Sequence, residues 1–299
     1  SDVINFIDEI CIQRVRRCAA VDSDGPGQVV LGALAPHPPL LIPEVGGDLM
    51  LEVENTRLAM ERLALAVKEI DPDVVVVISP HGPLLPKAIG IWVMGKLRGD
   101  FAQFRAPEVA LAVENDLELL AALLDEGQAS SYPLRRVDEN MLHRYGYPPE
   151  LDYATLIPLY YLEKAGVKKP VLPMGMGLLR PRELYKFGIV LRRAVERTGR
   201  RAVVIASGDL SHRLTMDAPA GYSKSGSLFD RTLWELLGKG DIEGILNIDA
   251  KLLEDAGECG YRSLVMMLGC WDGRSIKTVP LSYEGPFGVG YGVCVIHPR

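Results

Sequence analysis

Histidines are the residues of this chain whose placement most suggests chemistry. The sequence contains five of them, and His37, His81 and His212 each follow an apolar run that is typical of a buried strand. A neutral imidazole is the most common protein ligand for transition metals. Because ligands of open α/β sheets bind at the carboxyl ends of the strands, the placement predicts that these three rings meet around one metal ion.

The alternative for any single histidine is an ordinary loop residue that makes a hydrogen bond. The setting that the three share favours a site instead. His37 and His81 each follow a proline, which restricts the backbone and helps to fix the direction of the ring. His143, in a polar segment, and His297, at the end of the last predicted strand, are not assigned to the site.

A third, anionic ligand is needed if only two of the histidines hold the metal. Glu258 is the candidate, since it precedes a predicted helix at 261–269 and a carboxylate suits the positive end of a helix dipole. Two histidines and a carboxylate form the facial triad of non-haem Fe(II) oxygenases. Cys259 is the rival ligand, because a thiolate favours softer metals such as copper or zinc. Without a metal, Glu258 would only cap the helix and Cys259 would be a small core residue.

The elements that must position these residues follow a strand–loop–helix pattern from residue 28 onward. Continuous apolar strands that alternate with helices are typical of a mostly parallel sheet covered on both faces. The last two strands are joined by a short turn and are expected to pair as an antiparallel hairpin, which makes the sheet mixed. The predicted strands are 29–34, 74–78, 88–94, 171–174, 202–206, 276–282 and 289–296, and the main predicted helices are 48–70, 114–125, 155–165, 181–198, 224–237 and 261–269.

The domain organisation follows from the same pattern. Residues 2–18 carry apolar side chains at helical spacing, and residues 22–27 are rich in Asp and Gly. We therefore expect an N-terminal helix and linker at 1–27, followed by one α/β domain at 28–299. The helix is expected to dock on the domain or on a second subunit.

Composition narrows the possible functions. The 299 residues are 48% hydrophobic, which is enough for a sizeable core, and the net charge of −6 argues against nucleic acid as the main partner. Five cysteines without a Cys-x-x-Cys pair argue against a disulfide framework and favour the cytoplasm. No apolar stretch reaches the length of about 18 residues that a membrane span needs. A zinc hydrolase is disfavoured because neither a nucleophile elbow nor His-Glu-x-x-His occurs.

Four short segments together resemble the catalytic-subunit family of class III extradiol ring-cleavage dioxygenases, the LigB-like family, in the branch related to Memo-like proteins. The resemblance extends over about residues 29–297. Each segment is short, but their order and their placement at strand ends are specific. The segments are APHPPL at 35–40, SPHG at 79–82, GDLSH at 208–212 and GECG at 257–260.

The resemblance implies a three-layer α/β/α fold in which His37, His81 and Glu258 ligate Fe(II). It implies that His212 is the acid/base residue beside a bound aromatic diol, and that O2 opens the ring next to the two hydroxyls. Asp209, in the loop of His212, is placed to orient a neighbouring ring or backbone group. Tyr153 stands where the family usually has a histidine that faces the substrate, and its hydroxyl can donate a hydrogen bond.

The Memo-like relatives supply the alternative function. They carry a cysteine ligand in the Glu-Cys-Gly neighbourhood and have no established ring-cleaving activity, so Cys259 is compatible with a copper- or iron-binding protein that acts with protein partners. By resemblance, the expected partners are AMMECR1-type and radical-SAM proteins. A homo-oligomer is also expected.

Overall fold

The computed structural model describes residues 26–299. The predicted helix at 2–18 and most of the linker lie outside the described residues. Within this range the strands are β1 (Gln28–Ala35), β2 (Val74–Ser79), β3 (Ile89–Trp92), β4 (Lys96–Phe101), β5 (Ala106–Glu114), β6 (Leu134–Val137), β7 (Val171–Gly175), β8 (Arg201–Ser207), β9 (Ile276–Glu284) and β10 (Tyr291–Pro298). The helices are α1 (Pro43–Gly46), α2 (Glu54–Ile70), α3 (Leu117–Ala129), α4 (Glu139–Tyr145), α5 (Tyr153–Lys164), α6 (Pro181–Thr198), α7 (Lys224–Lys239), α8 (Ile242–Leu246), α9 (Ala250–Ala256) and α10 (Tyr261–Leu268).

The main sheet has eight strands in the order β6-β3-β7-β2-β8-β1-β10-β9. The central strands β7, β2, β8 and β1 are parallel to one another, whereas β10 runs antiparallel to both β1 and β9. β3 is antiparallel to β7 and parallel to β6. The prediction of a mostly parallel, mixed sheet that ends in an antiparallel hairpin is therefore confirmed.

Helices cover both faces of this sheet, as the apolar strands require. Along β2, Val74, Val76 and Ile78 pack with α3, α6 and α10 on one face, while Val75 and Val77 pack with α2 and α5 on the other. Side chains of a strand alternate between its two faces, so a strand that is apolar throughout must lie between two layers of helices. The α/β fold with three α/β/α layers is confirmed.

Several regions differ from the predicted elements, and the strand β6 and the short helices α4, α8 and α9 were not predicted. The single helix expected at 48–70 is divided, since a 3-10 segment at Gly47–Val53 precedes α2 and Gly47 has a left-handed φ of 49°. The hairpin of β4 and β5 was not predicted, and it forms a separate two-stranded sheet. None of the helices between residues 26 and 299 is both long and apolar enough to cross a bilayer.

The neighbouring strands β2, β8 and β1 position the candidate site. Ala35 is paired with Ser207, and Ile78 with Ala206, so the three parallel strands end at nearly the same level. The segments that follow them therefore leave the sheet at one edge and carry their side chains to one place.

Candidate functional site

His37, His81 and Cys259 form a compact group of potential metal ligands at this edge. The Nε2 atoms of His37 and His81 are 3.1 Å apart, and Cys259 Sγ lies 3.6 Å from His37 Nε2. The three ligand atoms all lie within 4.8 Å of one another. His37 is buried after β1, while His81 is exposed after β2. We call these three residues the ligand cluster.

Hydrogen bonds assign the tautomer of His37. Ser207 Oγ donates its single proton to the carbonyl of Ala154 at 2.6 Å, so this oxygen acts as the acceptor towards His37 Nδ1, which lies 3.0 Å away. The proton of a neutral His37 ring therefore resides on Nδ1, and Nε2 carries a free lone pair directed into the ligand cluster. Burial lowers the pKa of His37 well below its ordinary value, which favours this neutral form.

The spacing of the ligand cluster fits a transition metal. Two nitrogens at about 2.1 Å from one ion lie about 3.0–3.4 Å apart for right-angle to tetrahedral coordination, and the two histidines show 3.1 Å. Burial raises the pKa of the Cys259 thiol well above its usual value. A bound cation reverses this effect, because a coordinating thiol loses its proton.

A close contact between two loops places Cys259 beside the histidines. A Cβ atom on Gly208 would lie 2.1 Å from Gly260 Cα, so only glycine allows the loop after β8 to approach the start of α10 this closely. The Asp209 carbonyl accepts hydrogen bonds from the backbone N–H groups of Cys259 and Gly260, and the Asp209 N–H donates to Cys259 Sγ at 3.2 Å. The backbone of Asp209 therefore fixes the position of Cys259 through hydrogen bonds to both its N–H group and its sulfur.

The side chain of Glu258 points in a different direction from that of the neighbouring Cys259. Its Oε2 accepts a hydrogen bond of 2.6 Å from the Tyr261 N–H at the start of α10, so the side chain caps that helix. Burial raises the pKa of Glu258 to about 7. Among residues 26–299, Glu258 belongs to neither group of side chains close enough to share an ion. The structure therefore gathers Cys259, rather than the expected Glu258, with the two histidines.

His212 and Asp209 lie directly beside the ligand cluster. The Gly257 carbonyl can only accept a hydrogen bond, so its 2.8 Å contact assigns the proton of a neutral His212 to Nδ1 and leaves Nε2 free to accept a proton. Asp209 Oδ2 is 3.8 Å from His212 Nε2 and 3.9 Å from His37 Nε2. Burial raises the pKa of Asp209 to about 6. Asp209, His212 and Cys259 form a second group with all ligand atoms within 4.8 Å.

Tyr153, the first residue of α5, lies against both histidines. Its ring stacks on His81 with the centroids 5.0 Å apart and meets the edge of His37 at 5.7 Å. The preceding residue, Asp152, caps α5 and accepts a hydrogen bond of 2.6 Å from Ser79 Oγ, which ties the helix to the end of β2. Burial raises the pKa of the Tyr153 hydroxyl, which therefore remains a hydrogen-bond donor at neutral pH.

A cavity of about 360 Å³ opens beside His81 and Tyr153. We call it the site cavity. Several of its walls come from residues that the sequence did not single out, among them Trp92, Asp100 and Tyr147. Trp92 ends β3, Asp100 lies on β4 and Tyr147 follows α4, and none of them belongs to a segment whose residue types indicate a site. His143 lies exposed on α4 and His297 is buried in β10, and neither belongs to the ligand cluster.

Comparisons with known proteins show what the chain is similar to. The family model described as the catalytic LigB subunit of aromatic ring-opening dioxygenase matches residues 31–294. The chain is 36% identical over 260 residues to Protein CA_C1420 of Clostridium acetobutylicum, and it spans only 56% of that protein. It is 26% identical over 259 residues to the 2-aminophenol 1,6-dioxygenase beta subunit of a Pseudomonas species, covering 77% of this chain and 81% of that subunit.

Two further similarities complete the comparison. A MEMO1 family protein of Methanococcoides burtonii is 28% identical over 199 residues, which are 62% of this chain and 64% of that protein. The crystal structure of the uncharacterized protein JW3007 from Escherichia coli K12 superposes with a TM-score of 0.59 at 13% identity, covering 89% of this chain and 98% of the other. At that identity the superposition supports the fold alone.

Proposed function

Since this chain belongs to the family of catalytic LigB subunits of aromatic ring-opening dioxygenases, we propose that it is an extradiol dioxygenase-type oxidoreductase that opens a catechol-like ring with O2. The observation that supports this most directly is the approach of His37 Nε2 to His81 Nε2 at 3.1 Å beside the site cavity. Two imidazoles with room for substrate next to them supply two of the three ligands of the facial triad of non-haem Fe(II) oxygenases, whose third ligand is a carboxylate. Fe(II) is the proposed ion, with copper and zinc as alternatives.

His37, His81 and Cys259 are the proposed ligands. The ion, when bound, supplies coordination positions for the two aromatic oxygens and for O2. The protein has to hold the rings in the required tautomer, which the hydrogen bond between His37 Nδ1 and Ser207 Oγ achieves. The buried setting of His37 also keeps water away from one side of the cluster.

His212 is the proposed acid/base residue and Tyr153 the proposed substrate-facing donor. With Nδ1 anchored on the Gly257 carbonyl, His212 Nε2 can take a proton from a substrate hydroxyl and return it during ring opening. Asp209 Oδ2, 3.8 Å from that nitrogen, stabilises the protonated ring. The Tyr153 hydroxyl can donate a hydrogen bond to a substrate oxygen.

A second candidate function is a Memo-like metal-binding protein that cleaves no ring and acts with partners, such as AMMECR1-type or radical-SAM proteins. The specific observation in its favour is that Cys259 Sγ joins the two histidines while Glu258 caps α10. Copper and zinc are bound better by two imidazoles and a thiolate than by two imidazoles and a carboxylate.

Metal content and O2 uptake separate the two functions. The protein is purified without oxygen, loaded with Fe(II) and mixed with a panel of catechols while O2 is monitored. The dioxygenase predicts one iron per chain and O2 uptake that disappears in His37→Ala but persists in His143→Ala, an exposed histidine outside the cluster. Full iron occupancy with no O2 uptake across the panel contradicts the dioxygenase, and tightly held copper then supports the second function.

A further inference from the structure

The charge of the site cavity limits which aromatic diols it can accept. Among the residues that the structure describes, three carboxylates, Asp100, Glu150 and Asp152, line it, and none of the lining residues is lysine or arginine. Resting on the proposed function, we infer that the site favours small aromatic diols whose ring substituent is uncharged or cationic over those that carry a carboxylate.

The hydrogen bonds that these three carboxylates accept do not neutralise their negative charge. Asp152 accepts only from neutral groups, namely Ser79 Oγ and the N–H and hydroxyl of Thr155. Asp100 Oδ1 accepts from the Ala102 N–H at 2.8 Å. Within residues 26–299, the one ion pair that these carboxylates form is between Glu150 and Arg98, which lies 3.9 Å away with its side chain 77% exposed. Exposed ion pairs of this kind are weak, so Arg98 offsets little of the negative potential.

The remaining walls suit an aromatic ring. Trp92 and Leu142 are almost fully buried beneath the cavity, and the rings of Tyr147 and Tyr153 flank it. Aromatic faces bind a flat ring well, and they also attract an ammonium group. A volume of about 360 Å³ matches a single-ring ligand.

The orientation of a bound diol places its substituent against the carboxylates. Both ring hydroxyls are directed to the ligand cluster, so a substituent on the opposite side of the ring faces the walls of the site cavity. An ammonium group there gains attraction from Asp100 and Glu150, whereas a carboxylate meets like charge and loses its water. Selectivity for the substituent is therefore expected to come from these two residues of the cavity wall.

Three probes with the same ring and similar side chains test the inference. Dopamine carries an amine, ethylcatechol is uncharged, and dihydroxyphenylacetate carries a carboxylate. Each is titrated by calorimetry into Fe(II)-loaded protein without oxygen, so that binding is measured separately from turnover. We expect dopamine to bind on the order of 10-fold or more tighter than dihydroxyphenylacetate, with ethylcatechol between them.

Variants of Asp100 and Glu150 then test whether these carboxylates cause the selectivity between diols. In the double variant Asp100→Asn with Glu150→Gln, we expect the affinity ratio of dopamine to dihydroxyphenylacetate to approach one. Asn can still accept the Ala102 N–H, so the loop should keep its shape, which the thermal midpoint checks. Glu108→Gln removes one carboxylate charge from an exposed position on β5 that does not line the cavity, and it should leave the ratio unchanged.

The outcomes distinguish this inference from the function on which it rests. If dihydroxyphenylacetate binds as tightly as dopamine, or if the double variant keeps the wild-type ratio, the inference is overturned and the dioxygenase proposal stands. If none of the three probes binds to fully iron-loaded protein, the dioxygenase proposal itself is overturned.

Discussion

Ser207 Oγ lies 3.0 Å from His37 Nδ1 and donates its own proton to the Ala154 carbonyl. The serine hydroxyl therefore fixes which nitrogen of His37 is available to a metal. Partners of this kind orient the ligand ring and raise its basicity. Ser207 was absent from the residues expected at the site, because a serine at the end of a strand carries no distinctive signal in the sequence.

Removing the Ser207 hydroxyl should weaken metal binding. We expect Ser207→Ala to lose about 10–100-fold in metal affinity, the usual effect of deleting such a partner, with the fold retained. Equilibrium metal titration measures this. Ser263→Ala is the matched control, since Ser263 is also buried and donates to the Ser207 carbonyl without contacting His37. Equal metal affinity in wild type and Ser207→Ala would contradict the role of the hydroxyl.

Cys259 and Glu258 should respond differently to substitution. Cys259→Ser is expected to lower metal affinity strongly, because it replaces the sulfur of the ligand cluster with a weaker ligand for a soft ion. Glu258→Ala should instead keep the metal and lower the free energy of unfolding by roughly 1 kcal/mol, the usual cost of losing a helix cap. Metal content and urea unfolding of both variants check this. Metal loss in Glu258→Ala, with retention in Cys259→Ser, would restore Glu258 as the third ligand.

His212 should matter for turnover and not for metal content. We expect His212→Gln to retain the ion while turnover falls on the order of 10²–10⁴-fold, the usual contribution of a positioned proton-transfer group. Metal analysis and O2 uptake are measured on the same sample, with exposed His143→Gln as the control. Loss of the ion would instead make His212 a ligand, and full activity with a lowered thermal midpoint would make it purely structural.

The buried carboxyl of Asp230 should make stability depend on pH. Its oxygens accept from the Ser211 N–H at 2.8 Å and the Tyr283 hydroxyl at 2.7 Å, and burial raises its pKa from 3.8 to about 6. Because the folded state binds this proton more tightly than the unfolded state does, Asp230 favours folding below about pH 4, and that contribution is lost as pH rises to about 6.

Asp230→Asn should remove this pH dependence while keeping an acceptor for Ser211. The wild type is expected to lose roughly 1–3 kcal/mol more stability than the variant between about pH 4 and about pH 7. Urea unfolding of both proteins at the two pH values measures the difference. Parallel pH profiles would show that the carboxyl has the same proton affinity in the folded and unfolded states.

The sequence predicted the parts of the site that depend on local pattern. Apolar runs mark strands, and the first residues after parallel strands share one edge, so His37, His81 and His212 could be placed together from the sequence alone. The family was recognisable from the four motifs around them, and the match over residues 31–294 confirms it. To place a residue at the carboxyl edge of the sheet, it is enough to know the direction of the strand that precedes it and the order of the strands along the chain.

The direction of individual side chains could not be predicted in the same way. Glu258 and Cys259 are adjacent, and the left-handed turn at Gly257, with φ of 62°, sends one to the N-terminus of α10 and the other to His37. The hairpin that brings Asp100 to the site cavity was missed for another reason. β5 has only partial alternation of buried and exposed positions, and its pairing with β4 is decided by the folded neighbours.

His37 and Cys259 are separated by 222 positions in the chain. An ion bound between them closes a very long loop and so acts as a reversible crosslink between the first strand and one of the last helices. During synthesis, such a link cannot form until nearly the whole sheet has been made, because Cys259 is among the last parts of the domain to be translated. All three ligands precede β9 and β10, so a chain that lacks only these two strands would lose the strand that borders β1 and still keep every ligand. Metal retention therefore reports that the segment from His37 to Cys259 has folded, and not that the last two strands have joined the sheet.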